Sequence, residues 1–352
     1  MIQVSTIPRL DGAAMEAARE RQSRLTKPAG SLGRLEELSI RIAGMTGMLD
    51  PPLDRAVVFT LAADHGVAEE GVSAYPADVT AQMVANFLRG GAAINVLARA
   101  VSAKVVVADL GVKSDLAPTD GLVAVKIRRG TASIMRGPAM TVSEASRAIE
   151  VGRALVREQL AEGMDVAITG DMGIGNTTAS AALVCALTGR DPDLIVGRGT
   201  GVDDAGLERK RHAVREALRV NAGAIAKGSL EALAAVGGLE IAGLVGVMLE
   251  AAATRRPVII DGFISGAAAL AAVRMAPAAG DFMIASHRSH ELGHGVVLDE
   301  LGLRPLLDLD LRLGEGTGGA LAMPIVRAAM RLLNEMATFD EAGVSNRDEA
   351  AR

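Results

Sequence analysis

Short apolar runs alternate along this chain with Ala-rich helical stretches, and polar or glycine-rich turns separate the two. The runs at 57–62, 104–109, 166–169, 258–260 and 282–285 are short and almost continuously apolar, which predicts strands buried on both faces. The stretches at 79–89, 143–162, 177–187, 205–219 and 239–253 carry helical patterns. Such alternation predicts an α/β fold with a Rossmann-like parallel sheet flanked by helices. A further strand is expected at 123–128.

The two ends of the chain differ from this middle. Charged helical segments at 15–25 and 34–48 precede the first strand, and a last helix at 321–337 leads into polar sequence at 338–352. These ends are expected to pack together as a small helical domain. Residues 1–50 form its first part, 51–320 the large α/β catalytic domain, and 321–352 return to the small domain with a polar tail. No internal repeat or low-complexity linker separates the parts.

The turns after the strands carry the chemistry. The runs lead into Asp64-His65-Gly66, Asp109-Leu110-Gly111, Gly170-Asp171-Met172-Gly173, Asp261-Gly262 and Ser286-His287. Ligands of open α/β sheets bind beyond the carboxyl ends of the strands, so these turns define one rim.

Composition narrows the ligand. Among 352 residues there are five Phe, one Tyr and no Trp, so the core must be aliphatic and a platform for stacking nucleic-acid bases is not expected. The net charge of −5 with dispersed basic residues points the same way. The single cysteine, Cys185, lies in an apolar run and reads as buried packing, which fits a reducing, cytoplasmic compartment. The N-terminus lacks a secretory h-region, and no apolar stretch reaches the roughly 18 residues that span a bilayer, so no membrane role is expected.

Three glycine-rich turns stand out. Gly170-Asp171-Met172-Gly173-Ile174-Gly175-Asn176-Thr177-Thr178 joins a predicted strand to a helix whose free amides suit an anion; the competing reading is a plain helix cap. It matches neither the dinucleotide fingerprint nor the Walker A loop. Gly197-Arg198-Gly199-Thr200-Gly201 leads into a helix with Lys210, a point charge suited to phosphate or an ordinary surface lysine. Gly314-Glu315-Gly316-Thr317-Gly318-Gly319 opens the last helix, and Glu315 reads either as a general base or as an acid stabilised by the helix dipole. His290-Glu291-Leu292-Gly293-His294 matches the H-E-x-x-H pattern of zinc hydrolases, but two glycines weaken the helix that the pattern requires.

Taken in order, these blocks resemble the nicotinate-nucleotide–dimethylbenzimidazole phosphoribosyltransferase family. The matching residues include Leu25-Thr26-Lys27-Pro28-Ala29-Gly30-Ser31-Leu32-Gly33, Ala63-Asp64-His65-Gly66-Val67, Gly71 to Pro76, the three glycine turns, Asp261 to Gly266, and Ser286-His287-Arg288-Ser289. The resemblance implies a two-domain homodimer without cofactor or metal. It implies transfer of phosphoribosyl from nicotinate mononucleotide to 5,6-dimethylbenzimidazole, giving α-ribazole 5′-phosphate and nicotinate in cobalamin lower-ligand synthesis. It makes Glu315 the catalytic base and assigns phosphate and ribose contacts to Gly173, Gly175, Asn176, Thr177 and Lys210. Tyr75, Gln82 and Leu313 would form the benzimidazole slot. Asp171 stands where many relatives carry Glu, one methylene longer; its expected role is to steady charge at the ribose or to bind its hydroxyls. Two rival readings stay open: a zinc metallohydrolase and a non-catalytic nucleotide-binding regulator.

Overall fold

A computed structural model describes residues 6–345; of the polar tail expected at 338–352, positions 346–352 lie outside the described residues, as do the first five positions, and the described part forms a short helix. In chain order the helices are α1 (Gly12–Arg24), α2 (Arg34–Thr46), α3 (Val79–Leu88), α4 (Ala93–Ala100), α5 (Val142–Ala161), α6 (Asn176–Thr188), α7 (Pro192–Ile195) and α8 (Asp204–Val220). They continue with α9 (Ala222–Ile225), α10 (Ser229–Val236), α11 (Leu239–Ala253), α12 (Phe263–Met275), α13 (Leu292–Leu301), α14 (Thr317–Glu335) and α15 (Phe339–Ala342). The strands are β1 (Ala56–Ala63), β2 (Lys104–Gly111), β3 (Leu122–Ala124), β4 (Val166–Met172), β5 (Val258–Ile260) and β6 (Met283–Ala285). A separate parallel pair joins β7 (His287–Arg288) to β8 (Leu307–Asp308).

The six main strands form one sheet in the order β3-β2-β1-β4-β5-β6, and every pairing is parallel. Every residue of β1 is buried, as an apolar strand must be when helices cover both faces. α11 lies on β1, β2 and β4, with α5 and α12 beside it, while α3, α4 and α14 pack against the sheet from the other side. The chain walks from β1 outward to β3, then returns to β4 and walks the opposite way. The reversal lies between β1 and β4, where open α/β sheets leave a crevice for ligand.

Small residues let the covering layer approach closely. A Cβ added at Gly152 of α5 would run into the Gly243 carbonyl of α11, and one at Gly246 would run into the Ile149 carbonyl of α5. Cys185 is buried in α6, as its apolar surroundings predict, and burial pushes its thiol pKa up to about 12.

The expected strand at 123–128 shrinks to β3, three residues long. Beyond it the amides of Val125 and Ile127 still reach the Asp109 and Leu110 carbonyls, at 3.2 and 2.9 Å, without a regular ladder. Lys126 interrupts the strand by turning back, donating to the Ser114 carbonyl at 2.8 Å and pairing with Asp109 at 3.1 Å. Phe282 ends a 3₁₀ turn rather than opening β6.

The chain ends meet. α1, α2 and α14 pack on one another, and Leu25 bridges to Thr338 in antiparallel fashion. Arg21 donates to the carbonyls of Leu333 at 2.6 Å and Asn334 at 2.9 Å, closing the C-terminal turn of α14. Among the described residues, no helix is long and apolar enough to cross a membrane.

Candidate active site

A cavity of about 300 Å³ opens beyond β4 and β5. Asp171, Met172, Gly173, Ile174, Asn176 and Thr177 form one wall. Gly262, Phe263, His287 and Ser289 stand on another side, and Tyr75, Arg312, Leu313 and Gly314 reach it from loops. This is the rim that the strand ends define in the sequence.

The turn after β4 owes its shape to glycine. Gly175 has φ of +94°, a left-handed conformation that side chains with a Cβ rarely adopt, and it opens α6. No side chain caps α6 at this residue, and Asn176 and Thr177 of its first turn line the cavity at the positive end of the helix dipole. Asn176 donates to Asp171 Oδ2 at 2.9 Å, and Thr80 Oγ1 accepts the Ile174 amide at 3.1 Å.

Lys210 is not a surface lysine. It is 1% exposed, carried inward by α8, which Asp203 caps by accepting the Gly206 amide at 2.8 Å. Its Nζ donates to Thr177 Oγ1 at 3.1 Å, behind the cavity wall. Burial lowers its pKa to about 8, with Glu291 pulling the other way. Gly199 bends at φ of +55° over this ammonium, and its carbonyl accepts from Arg312 at 3.2 Å. The same loop sends Thr200 Oγ1 to the Ala74 amide at 3.0 Å, which ties down the segment bearing Tyr75.

Glu315 sits in the left-handed region at φ of +65°. Its amide donates to the Asp171 carbonyl at 3.2 Å, and its carbonyl accepts from Thr60 at 3.0 Å. The carboxylate is buried and its Oε2 accepts the Ile94 amide at the start of α4, 3.1 Å away. Burial raises the Glu315 pKa, which the Ile94 hydrogen bond partly offsets. Asp171 is driven well above the ordinary carboxylate range, first by burial and then by the nearby charges of Asp261, Glu240 and Glu315.

Asp261 holds the glutamate loop from beneath. Its Oδ1 accepts the amides of Gly318 and Gly319 at 2.7 and 3.1 Å, and its Oδ2 accepts that of Gly316 at 3.1 Å. Burial pushes its pKa up to about 7 even against the pull of these amides. Sequence marks Asp261 only as the residue ending a strand; its partners lie 55 to 58 positions away.

The residues predicted from sequence therefore divide into three groups. Asp171, Gly173, Asn176, Thr177, Tyr75 and Leu313 line the cavity together. Gly175, Lys210 and Glu315 stand just behind its walls, each tied to a lining residue or its loop. Gln82 is exposed on α3 and does not line the cavity. Arg312 is the addition: it lines the cavity, and sequence gives no signal that separates it from a surface arginine.

The histidine motif is not a ligand set. His290 precedes α13, with a side chain 66% exposed, so it shares no helical face with His294. His294 is buried and its Nδ1 accepts the Ser289 amide at 2.8 Å. Burial depresses His287 to about 4 and His294 to about 3. Both are hydrogen-bonded, His294 in the core and His287 at the cavity.

A family model described as "Phosphoribosyltransferase" matches residues 7–344. The chain is 58% identical to the nicotinate-nucleotide–dimethylbenzimidazole phosphoribosyltransferase of Chloroflexus aggregans, over 99% of this chain and 98% of that one. It is 55% identical to the enzyme of the same name from Desulforudis audaxviator, covering 97% of each. The crystal structure of the enzyme of that name from Thermus thermophilus superposes with a TM-score of 0.91 at 51% identity, over 96% of this chain and all of that one. The chain belongs to the nicotinate-nucleotide–dimethylbenzimidazole phosphoribosyltransferase family.

Proposed function

We propose that the protein transfers the phosphoribosyl group of nicotinate mononucleotide to 5,6-dimethylbenzimidazole, giving α-ribazole 5′-phosphate and nicotinate. The observation that carries this reading is the meeting of two glycine loops over Asp171. One, Gly173 to Thr177, suits a phosphate; the other carries the buried Glu315, whose backbone amide donates to the Asp171 carbonyl at 3.2 Å. Full-length similarity to enzymes of that name supports it.

The chemistry can be derived from the substrates. The leaving group is a pyridinium, which departs as a neutral ring when it takes the electrons of its bond to C1′. No general acid is needed. One benzimidazole nitrogen attacks C1′ from the opposite face, so the β-linkage becomes α. The proton on the other nitrogen is taken by Glu315, which burial makes a stronger base than an exposed carboxylate. Lys210, Thr177 and the first turn of α6 hold the phosphate, and that remote binding aligns C1′ for attack. Tyr75 and Leu313 offer the base an apolar wall, and Gln82 stands outside the cavity. Asp171 steadies charge at the ribose or binds its hydroxyls.

On the same reading the protein is a cytoplasmic homodimer with the two-domain division that its terminal helices suggest. Light scattering at twice the chain mass tests the assembly. The activity is tested by incubating the protein with both substrates and separating the products by chromatography. Glu315→Gln is expected to lose turnover by roughly 10²- to 10⁴-fold while still binding the mononucleotide. Turnover near that of the parent protein removes Glu315 from the role of base.

A further inference from the structure

Two buried polar side chains beneath the phosphate-type loop have no part in the chemistry above. His65, two residues beyond β1, and Glu240, in the first turn of α11, are both almost wholly buried, and His65 Nε2 lies 2.5 Å from Glu240 Oε1. Among the described residues, His65 Nδ1 and Glu240 Oε2 have no hydrogen-bond partner. A buried carboxylate with one neighbour is costly unless that neighbour is a cation. A buried ion pair is also a poor source of stability, since apolar residues of similar volume often serve as well.

What distinguishes this pair is its location. The loop rests directly on it. A Cβ added at Gly173 would meet Glu240 Oε1 at 3.3 Å and His65 Cδ2 at 3.4 Å, and one at Gly175 would meet His65 Cβ at 3.2 Å. No side chain separates the pair from the loop backbone at these two glycines. Glu240 is also close enough to act on Asp171, a cavity residue. An uncompensated carboxylate beneath Gly173 would therefore repel any anion held by the turn above it.

We infer that His65 and Glu240 form a positioning pair, in which the ring of His65, held on Glu240 Oε1, offsets the charge of that carboxylate and so keeps the glycine loop receptive to phosphate. The inference rests on the phosphoribosyl-transfer reading for its substrate and on the geometry for everything else. His65 touches no reacting atom; it acts through the loop.

The test replaces the ring while keeping the hydrogen bond. His65→Gln retains an amide donor toward Glu240 but removes the imidazole. It should weaken binding of nicotinate mononucleotide and of inorganic phosphate, both measured by calorimetry, by about tenfold. It should raise the Michaelis constant to a similar degree and leave the turnover number within threefold. Adding Glu240→Gln should restore both constants to within about threefold of the parent, because the Glu240 carboxylate beneath the loop is then gone as well. A purely structural contact predicts the reverse: no loss in the single variant, or a double variant no better than it; either result overturns the inference. Should His65→Gln not fold, Glu240→Gln alone decides, since it must bind phosphate at least as tightly as the parent; weaker binding overturns the proposal. Phosphate binding needs no turnover. If the parent protein binds phosphate but transfers no phosphoribosyl group, the proposed function fails while the role of the pair is still measured.

Discussion

Asp261 makes three backbone hydrogen bonds to the loop that carries Glu315, and no other side chain reaches those amides among the described residues. A residue forced to φ of +65° is strained, so its conformation must be imposed from outside. Asp261 supplies that constraint from beneath, while the Asp171 carbonyl and Thr60 hold the Glu315 backbone. Asp261→Asn puts a donor where one of two acceptors stood, so at least one glycine amide loses its partner. Turnover should fall on the order of 100-fold with a smaller change in Michaelis constants, the cost of misplacing a catalytic group by a fraction of its bond length. Circular dichroism should remain that of the parent protein. Turnover within threefold would show that the loop holds itself. Lys210 gives a second prediction at this scale. Its pKa near 8 means that the ammonium loses its proton as pH rises through 8, while the substrate phosphate stays doubly ionised. The ratio kcat/KM for the mononucleotide should therefore fall about tenfold per pH unit well above 8. In Lys210→Ala the ratio should be lower at neutral pH and free of that limb; an alkaline limb unchanged in Lys210→Ala would assign it to another group.

Among the elements, the closest packing is at α5 and α11, where glycines let two backbones touch. Gly152→Ala drives a methyl into the Gly243 carbonyl, and the helices must separate. Overpacking of this kind costs about 1–3 kcal/mol, to be read as a lower denaturation midpoint. An unchanged midpoint would mean that the layer yields freely. The same elements show how far sequence alone reaches. The central strands and long helices were legible because each buries a continuous run or an amphipathic face large enough to override local irregularity. α4 was not: it is amphipathic, but its eight residues span barely two turns and follow Gly90-Gly91, too short a stretch to be told from a loop. Yet α4 supplies the amide that holds the Glu315 carboxylate. The glycine turns, Glu315 and Asp171 were legible as polar groups at strand or helix ends. The depth of Lys210, the pairing of His65 with Glu240 and the support from Asp261 were not. Each depends on partners at least 33 positions distant in the chain, and spacing carries no trace of such contacts.

At the scale of the molecule, α14 connects the site to the chain ends. Its 19 residues span about 28 Å at the usual helical rise, from the glutamate loop to the turn held by Arg21. The two ends are anchored separately. Asp261 fixes the first turn, whereas Arg21 caps the last carbonyls and Arg327, midway, donates to the carbonyls of Leu53, Asp54 and Val101. Pro324 interrupts the hydrogen-bond ladder between the first turn and the rest, so distortion at the far end is not transmitted rigidly. Arg21→Ala should therefore separate stability from activity. It leaves the carbonyls of Leu333 and Asn334 without this donor at a partly buried site, a loss of about 1–3 kcal/mol measurable by denaturant unfolding. At temperatures where the variant stays folded, turnover and Michaelis constants should match those of the parent. A fall in turnover under those conditions would mean that α14 moves as one rigid rod, and that the clamp at the chain ends helps to hold Glu315 in place.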